Sequence, residues 1–161
     1  MVGWAIADGG FDGRNGVMTV PKVHSAKAVL STAFKNFAFD VDIKLTSSDG
    51  NAGVIFRASN LHDGADSYQG YYVGIQRGQV TLGRAQNNWT ELRNAKMDIQ
   101  ANRAYHMRVI ASGNTLTVYV DDMNRPQITV SDGTFSAGMV GARVFEAGAV
   151  YDNFEIVPQQ S

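Results

Sequence analysis

From Phe37 to Leu45 the chain alternates without a break: Phe37, Phe39, Val41, Ile43 and Leu45 are apolar, and Ala38, Asp40, Asp42 and Lys44 separate them. Successive side chains leave a β-strand on opposite faces, so this period of two describes a strand with one face on a core and the other in water. A helix would scatter the same apolar residues around its axis. The pattern therefore predicts an antiparallel sheet with one face buried.

Other segments extend the reading. Gly53 to Ala58, Gly70 to Arg77, Gln79 to Arg84, Tyr105 to Ala111, Thr115 to Val120, Met139 to Phe145 and Val150 to Val157 are rich in β-branched or aromatic residues and bounded by Gly, Asn or Asp. Ser112-Gly113-Asn114 reads as a turn joining two of them into a hairpin. With 17 Gly against 3 Pro as punctuation, the predicted class is all-β, a two-sheet antiparallel β-sandwich of the jelly-roll kind. No amphipathic helix is evident, although Glu91 to Gln100 has room for a helical turn. The 161 residues suit one domain spanning 1–161, and 44% apolar against 18% charged residues suffices for its core.

Charge narrows the partners. Fourteen Lys and Arg are interspersed with 15 Asp and Glu, with no basic run to neutralise a line of phosphates, so nucleic acid is not expected. No apolar run reaches the length of a membrane helix, and no membrane partner is expected. Zero cysteines exclude disulfides and thiolate metal sites. The start, Met1-Val2-Gly3-Trp4, has no signal-peptide pattern, and the expectation is a module of a longer secreted protein, hence extracellular.

Five segments in order carry a resemblance: Asn51 to Asn60 (NAGVIFRASN), Asp66 to Ile75 (DSYQGYYVGI), Leu82 to Leu92 (LGRAQNNWTEL), the hairpin Tyr105 to Asp122, and Gly138 to Phe154 (GMVGARVFEAGAVYDNF). Together they resemble the concanavalin A-like jelly rolls appended to glycoside hydrolases, and among these carbohydrate-binding module family 66. The resemblance implies a non-catalytic domain that binds a polysaccharide, with the terminal fructose of a fructan such as levan as its ligand. It also implies a catalytic domain elsewhere in the parent chain.

Sugar recognition needs planar donors and acceptors for hydroxyl pairs and an aromatic face for the C–H side of the ring. Strand alternation places Arg57 on one face with Gly53 and Ile55, and Arg143 on one face with Gly141 and Phe145. An Arg inside such a strand either faces a ligand or completes an internal ion pair; for Arg57 the two readings are equal on the residues, and the resemblance favours ligand. Glu146, next to Phe145, can accept from two hydroxyls or be a solvated loop charge. Trp89 is a stacking platform or a plug on the core. Tyr71 and Tyr72 point to opposite faces, so one serves the core and the other a binding face. With the resemblance, Asp66, Tyr68 and Tyr72 join Arg57, Trp89, Arg143, Phe145 and Glu146 as candidate sugar-binding residues.

No cofactor is called for. A structural calcium ion is conceivable by analogy, with Asp152 as a ligand. Asp8, Asp12 and Asn15 among glycines look like a calcium loop, but the spacing is not that of an EF-hand. His24, His62 and His106 form no metal motif. Two alternatives stand beside the binding module. A glycoside hydrolase needs two carboxyl groups across the scissile bond; Asp40 and Asp42 have the i, i+2 spacing, on a face that reads as solvated. A laminin G-like interaction domain would share the fold, but a binder of sulfated glycans should show the basic cluster that is absent here.

Overall fold

The computed structural model describes residues 4–8, 12–14 and 17–159. Gly9, Gly10, Asn15 and Gly16 of the candidate calcium loop lie outside these. Twelve strands follow one another: β1 (Trp4–Asp8), β2 (Asp12–Arg14), β3 (Val17–Phe34), β4 (Phe37–Leu45), β5 (Asn51–Ser59), β6 (Gln69–Gln76), β7 (Gln79–Gln86), β8 (Trp89–Lys96), β9 (Ala104–Ser112), β10 (Thr115–Val120), β11 (Ile128–Ser131) and β12 (Gly138–Pro158). No helix occurs among the described residues.

All pairings are antiparallel, in the order β11-β10-β9-β4-β12-β5-β6-β7-β8, with β3 also beside β12 and carrying β1 and β2. The expected all-β, antiparallel class is present. Hydrogen bonding does not divide into two ladders, however, because β12 joins the half made of β4, β9, β10 and β11 to the half made of β5 to β8. Residues 139–145 of β12 pair with β5, and residues 149–158 pair with β4. The change of partner falls at Glu146, whose φ of 53° is left-handed, and at a register shift between Ala147 and Ala149. This is why one long strand stands where the sequence suggests two.

The main core lies between the halves. Phe37, Phe39, Val41, Ile43 and Leu45 of β4, Met107 and Val109 of β9 and Leu116 and Val118 of β10 pack in one cluster with Val54 and Phe56 of β5, Tyr71, Val73 and Ile75 of β6, and Val80 and Leu82 of β7. Fully burying each such side chain contributes about 1.5–3 kcal/mol. The predicted alternation of β4 appears directly as alternating burial. The end strands β8 and β11 approach each other, and Asp132, just after β11, ties this end to β6 and β7: its carboxylate accepts from Tyr71 Oη at 2.6 Å and from Arg84 Nη1 at 2.6 Å.

Two elements depart from expectation. Of Glu91 to Gln100, which has room for a helical turn, Glu91 to Lys96 belongs to β8, since the tertiary pairing with β7 overrides weak local preference. Trp89 accordingly begins a strand instead of lying between strands. The long β3, polar and alanine-rich at many positions, was not foreseen, because its order comes from β12 on one edge and β1 and β2 on the other.

Candidate functional site

The outer face of β5 to β8, opposite the main core, holds a cleft of about 230 Å³. Tyr72 and Gly74 of β6 form its floor, Arg143 and Phe145 of β12 one side and Trp89 and Glu91 of β8 the other, and Asp66 of the β5–β6 loop closes an end. Period two puts Tyr72 on this face and Tyr71 in the core, which settles what the sequence left open for that pair. Gly74 must lack a side chain: a Cβ there would stand 2.2 Å from Tyr72 Oη.

Arg143 organises the site. Only 4% exposed, it donates from Nη2 to Asp66 Oδ1 at 3.1 Å and from Nη1 to Tyr68 Oη at 3.5 Å. Its guanidinium lies 4.3 Å from the Tyr72 ring centre and 5.7 Å from that of Trp89, within cation–π range. Nε, itself buried, has no hydrogen-bond partner in the protein, an uncommon state for a buried donor. Burial by itself disfavours the charge, but the neighbouring Tyr68, Tyr72 and Asp66 outweigh it and raise the Arg143 pKa. The phenols stay neutral, since burial pushes Tyr68 up to about 12 and Tyr72 higher still.

Local turns deliver Asp66. Within the β5–β6 loop, His62 N donates to Ser67 O at 2.9 Å and Tyr68 N to Asp66 O at 2.9 Å. Tyr72 Oη donates to Asn51 Oδ1 at 2.5 Å, which orients the ring. Trp89, 36% exposed, lies edge-on to Tyr72 at 6.0 Å and over Gly83, where a Cβ would meet the indole at 2.4 Å. One side of the indole is thus held while another part remains open to solvent.

The structure brings Asp66, Tyr72, Trp89, Arg143 and Phe145 together, with Tyr68 fully buried beside Arg143. Glu146 is outside the cleft lining, at the edge beyond Phe145: its Oε1 lies 2.6 Å from His24 Nδ1, and the His24 ring meets Phe145 edge-on at 5.3 Å. Arg57, expected on the binding face, is outside the cleft lining. Its φ is 49°, and the β5–β6 register shifts between Phe56 and Ser59. This bulge breaks the alternation that grouped Arg57 with Gly53 and Ile55 and aims it at the turns of the opposite half. There, 1% exposed, it donates to Lys35 O at 3.0 and 2.8 Å, Gly113 O at 2.8 Å, Phe135 O at 3.1 Å and Asn36 Oδ1 at 3.3 Å.

Sequence reasoning missed Lys27, which pairs in register with Arg143, is fully buried, and donates to Gly64 O in the middle of the Asp66 loop. It also missed Asn51, Gln76, Gln79, Thr81 and Glu91, whose signal was their alternation with core residues on β5 to β8. Asp40 and Asp42 are both ion-paired on the outer face of β4, Asp40 with Arg108 and His106 and Asp42 with His106, and Asp42 Oδ2 also accepts a hydrogen bond from Asn153 Nδ2 at 2.7 Å. Asp152 Oδ1 accepts from the Asn153 backbone at 2.8 Å. Among the described residues no group of three or more His, Asp or Glu converges as a metal cage.

Known proteins share this framework. A family model described as the 3-keto-alpha-glucoside-1,2-lyase-like domain matches residues 1–157. A levanase of Bacillus subtilis (strain 168) is 26% identical over 162 residues, 95% of this chain and 22% of that protein. The chain thus spans about a fifth of that relative's length. The solved carbohydrate-binding module CBM66 from Bacillus subtilis superposes with a TM-score of 0.86 at 24% identity, over 97% of this chain and 96% of that one. A Bacillus subtilis protein with a galectin-like fold superposes at 0.75 and 12% identity, over 97% of this chain and 90% of that one. The structural likenesses establish the fold, and the resemblance to carbohydrate-binding module family 66 holds in three dimensions.

Proposed function

The chain belongs to the 3-keto-alpha-glucoside-1,2-lyase-like domain family, and from that premise we propose that it is a non-catalytic carbohydrate-binding module of a longer, extracellular glycoside hydrolase. In this reading residues 1–161 form one jelly-roll domain whose two halves are the leaves of a sandwich. The ligand is the terminal fructose of a fructan such as levan. The match to a levanase, of which this chain spans only part, supports both the parent enzyme and the sugar class.

The observation that carries the reading is Arg143, buried at the cleft with an unpartnered Nε, braced by Asp66 and flanked by aromatic rings. A guanidinium beside a carboxylate presents donors and acceptors to a pair of adjacent hydroxyls, while the exposed part of Trp89 offers an apolar plane to ring C–H groups. At about 230 Å³ the cleft lies below the ~300–1,000 Å³ of pockets for drug-sized ligands, which favours one sugar ring and so a chain end. Such a site binds modestly on its own, and linkage to a catalytic domain raises the effective concentration of enzyme at its polymer.

A second reading deserves the same assay, because the family's description is lyase-like and Asp66 and Glu91 both line the cleft. Purified domain is titrated calorimetrically with levan, inulin, arabinan, xylan and β-glucan while reducing sugar is followed in parallel. Saturable binding of levan without sugar release supports the module. Sugar release makes the domain an enzyme, and silence with every polymer removes the sugar-binding reading.

A further inference from the structure

We infer that the amide row on the outer face of β6 to β8 forms a second subsite, which takes the neutral sugar unit next to the one in the cleft. This rests on the sugar-binding reading above. The cleft is bounded by Asp66 and Arg143, by Phe145 and by Trp89, but along β6 and β7 its lining runs on through Gly74 to Gln76, Gln79 and Thr81. The end of the Tyr72 ring lies over the side-chain-free Gly74, so the lining passes from that ring directly to the amides.

Register makes the row continuous. Gln76 pairs with Gln79 and Gly74 with Thr81 across β6 and β7, and Thr81 pairs with Asn94 across β7 and β8. Asn94 Nδ2 donates to Gln79 Oε1 at 2.7 Å and to Thr81 Oγ1 at 2.8 Å, so the amides are oriented before any ligand arrives. Asn94 Oδ1 is left to accept, and Gln79 Nε2 and the Thr81 hydroxyl to donate. Such mixed donors and acceptors match sugar hydroxyls, which are both. Gln76, Gln79, Thr81 and Asn94 carry no charge, which fits a neutral unit better than a uronate or a sulfated one.

The subsite adds hydrogen bonds in a half-exposed setting. Two ordinary ones amount to about a tenfold gain in affinity. Wild type and the variant Asn94→Ala, whose amide stands outside the cleft lining, are titrated calorimetrically with fructose, levanbiose and levantriose. The expected result is a roughly tenfold tightening from fructose to levanbiose in the wild type, absent in the variant, with fructose affinity the same in both. Equal fructose binding also reports that the variant is folded, and Asn94→Asp, which removes the Nδ2 donor at constant shape, repeats the comparison.

Equal affinities for fructose and levanbiose in the wild type, or a gain that survives the substitutions, would overturn the subsite while leaving the cleft intact. Weaker fructose binding by the variant would place the amides in the first subsite and likewise overturn it. If the wild type binds none of the three sugars, the sugar-binding reading itself fails and takes the subsite with it.

Discussion

Replacing Arg57 by alanine separates a structural arginine from a ligand-binding one. In the folded protein the guanidinium serves Lys35 O, Gly113 O, Phe135 O and Asn36 Oδ1, tying β5 to the β3–β4 turn, the β9–β10 turn and the segment after β11. Hydrogen bonds to a charged group net about 1.5–3 kcal/mol each. Part is returned because the buried charge no longer pays desolvation, an effective cost of several kcal/mol. The balance is a loss of about 3 kcal/mol, in the range expected when a buried polar network is broken. For a chain of this size that lowers Tm by roughly 6–12 °C. Arg57→Gly should lose about 1 kcal/mol less, since glycine relieves the left-handed backbone that any other residue must hold here. The assay is urea unfolding followed by circular dichroism, with levan affinity measured well below the transition. Arg57→Ala should bind levan like the wild type. A variant that unfolds within about 0.5 kcal/mol of wild type, as neutral surface changes do, yet no longer binds would refute this reasoning and return Arg57 to the ligand.

The cleft makes sharper demands. Arg143→Lys keeps the charge but loses the planar fork, and levan affinity should fall by at least about 30-fold, as for a binding hot spot; calorimetry checks this, and unchanged affinity would remove Arg143 from the site. Trp89→Ala should cost about 1 kcal/mol of stacking, roughly fivefold in affinity, with little change in the unfolding midpoint; a large loss of stability instead would make the indole a plug. Glu146→Gln, outside the lining, should change affinity by no more than about 1 kcal/mol, the scale of one hydrogen bond. Stability should also depend on pH through the outer face of β4 and β9. Burial alone opposes protonation of His106, but hydrogen bonds to Asp40 and Asp42 outweigh it and raise its pKa above 6.5, so its contribution is complete below pH 6.5 and is lost as pH rises through the raised value. Burial alone likewise opposes ionisation of Asp40, but bonds from Arg108 and His106 hold its pKa below 3.8, so its contribution is complete above pH 3.8 and is lost as pH falls through the lowered value. Urea midpoints across this range should peak between the two limits, and His106→Gln should abolish the decline on the neutral side; a decline that persists unchanged would exclude His106 as its cause.

The amino-acid sequence by itself determined the class of structure and much of the chemistry. Alternation at Phe37–Leu45 names both the strand and its buried face, because a period of two is a property of the extended backbone and needs no partner to be read. The same rule placed Gly141, Arg143 and Phe145 on one face, and Arg143 and Phe145 do share the cleft. Tertiary structure decided what local patterns do not encode. The long β3 exists because β12 offers it an edge, β8 is a strand because β7 does, and β12 runs unbroken because a left-handed Glu146 lets it change partners. Arg57 shows the limit most plainly. A single bulge inverts the facing of every residue beyond it, so one left-handed backbone angle moves an arginine from the expected binding face to the bonds that join the two halves. Which strands pair, and where the register slips, depends on contacts among residues far apart in the chain.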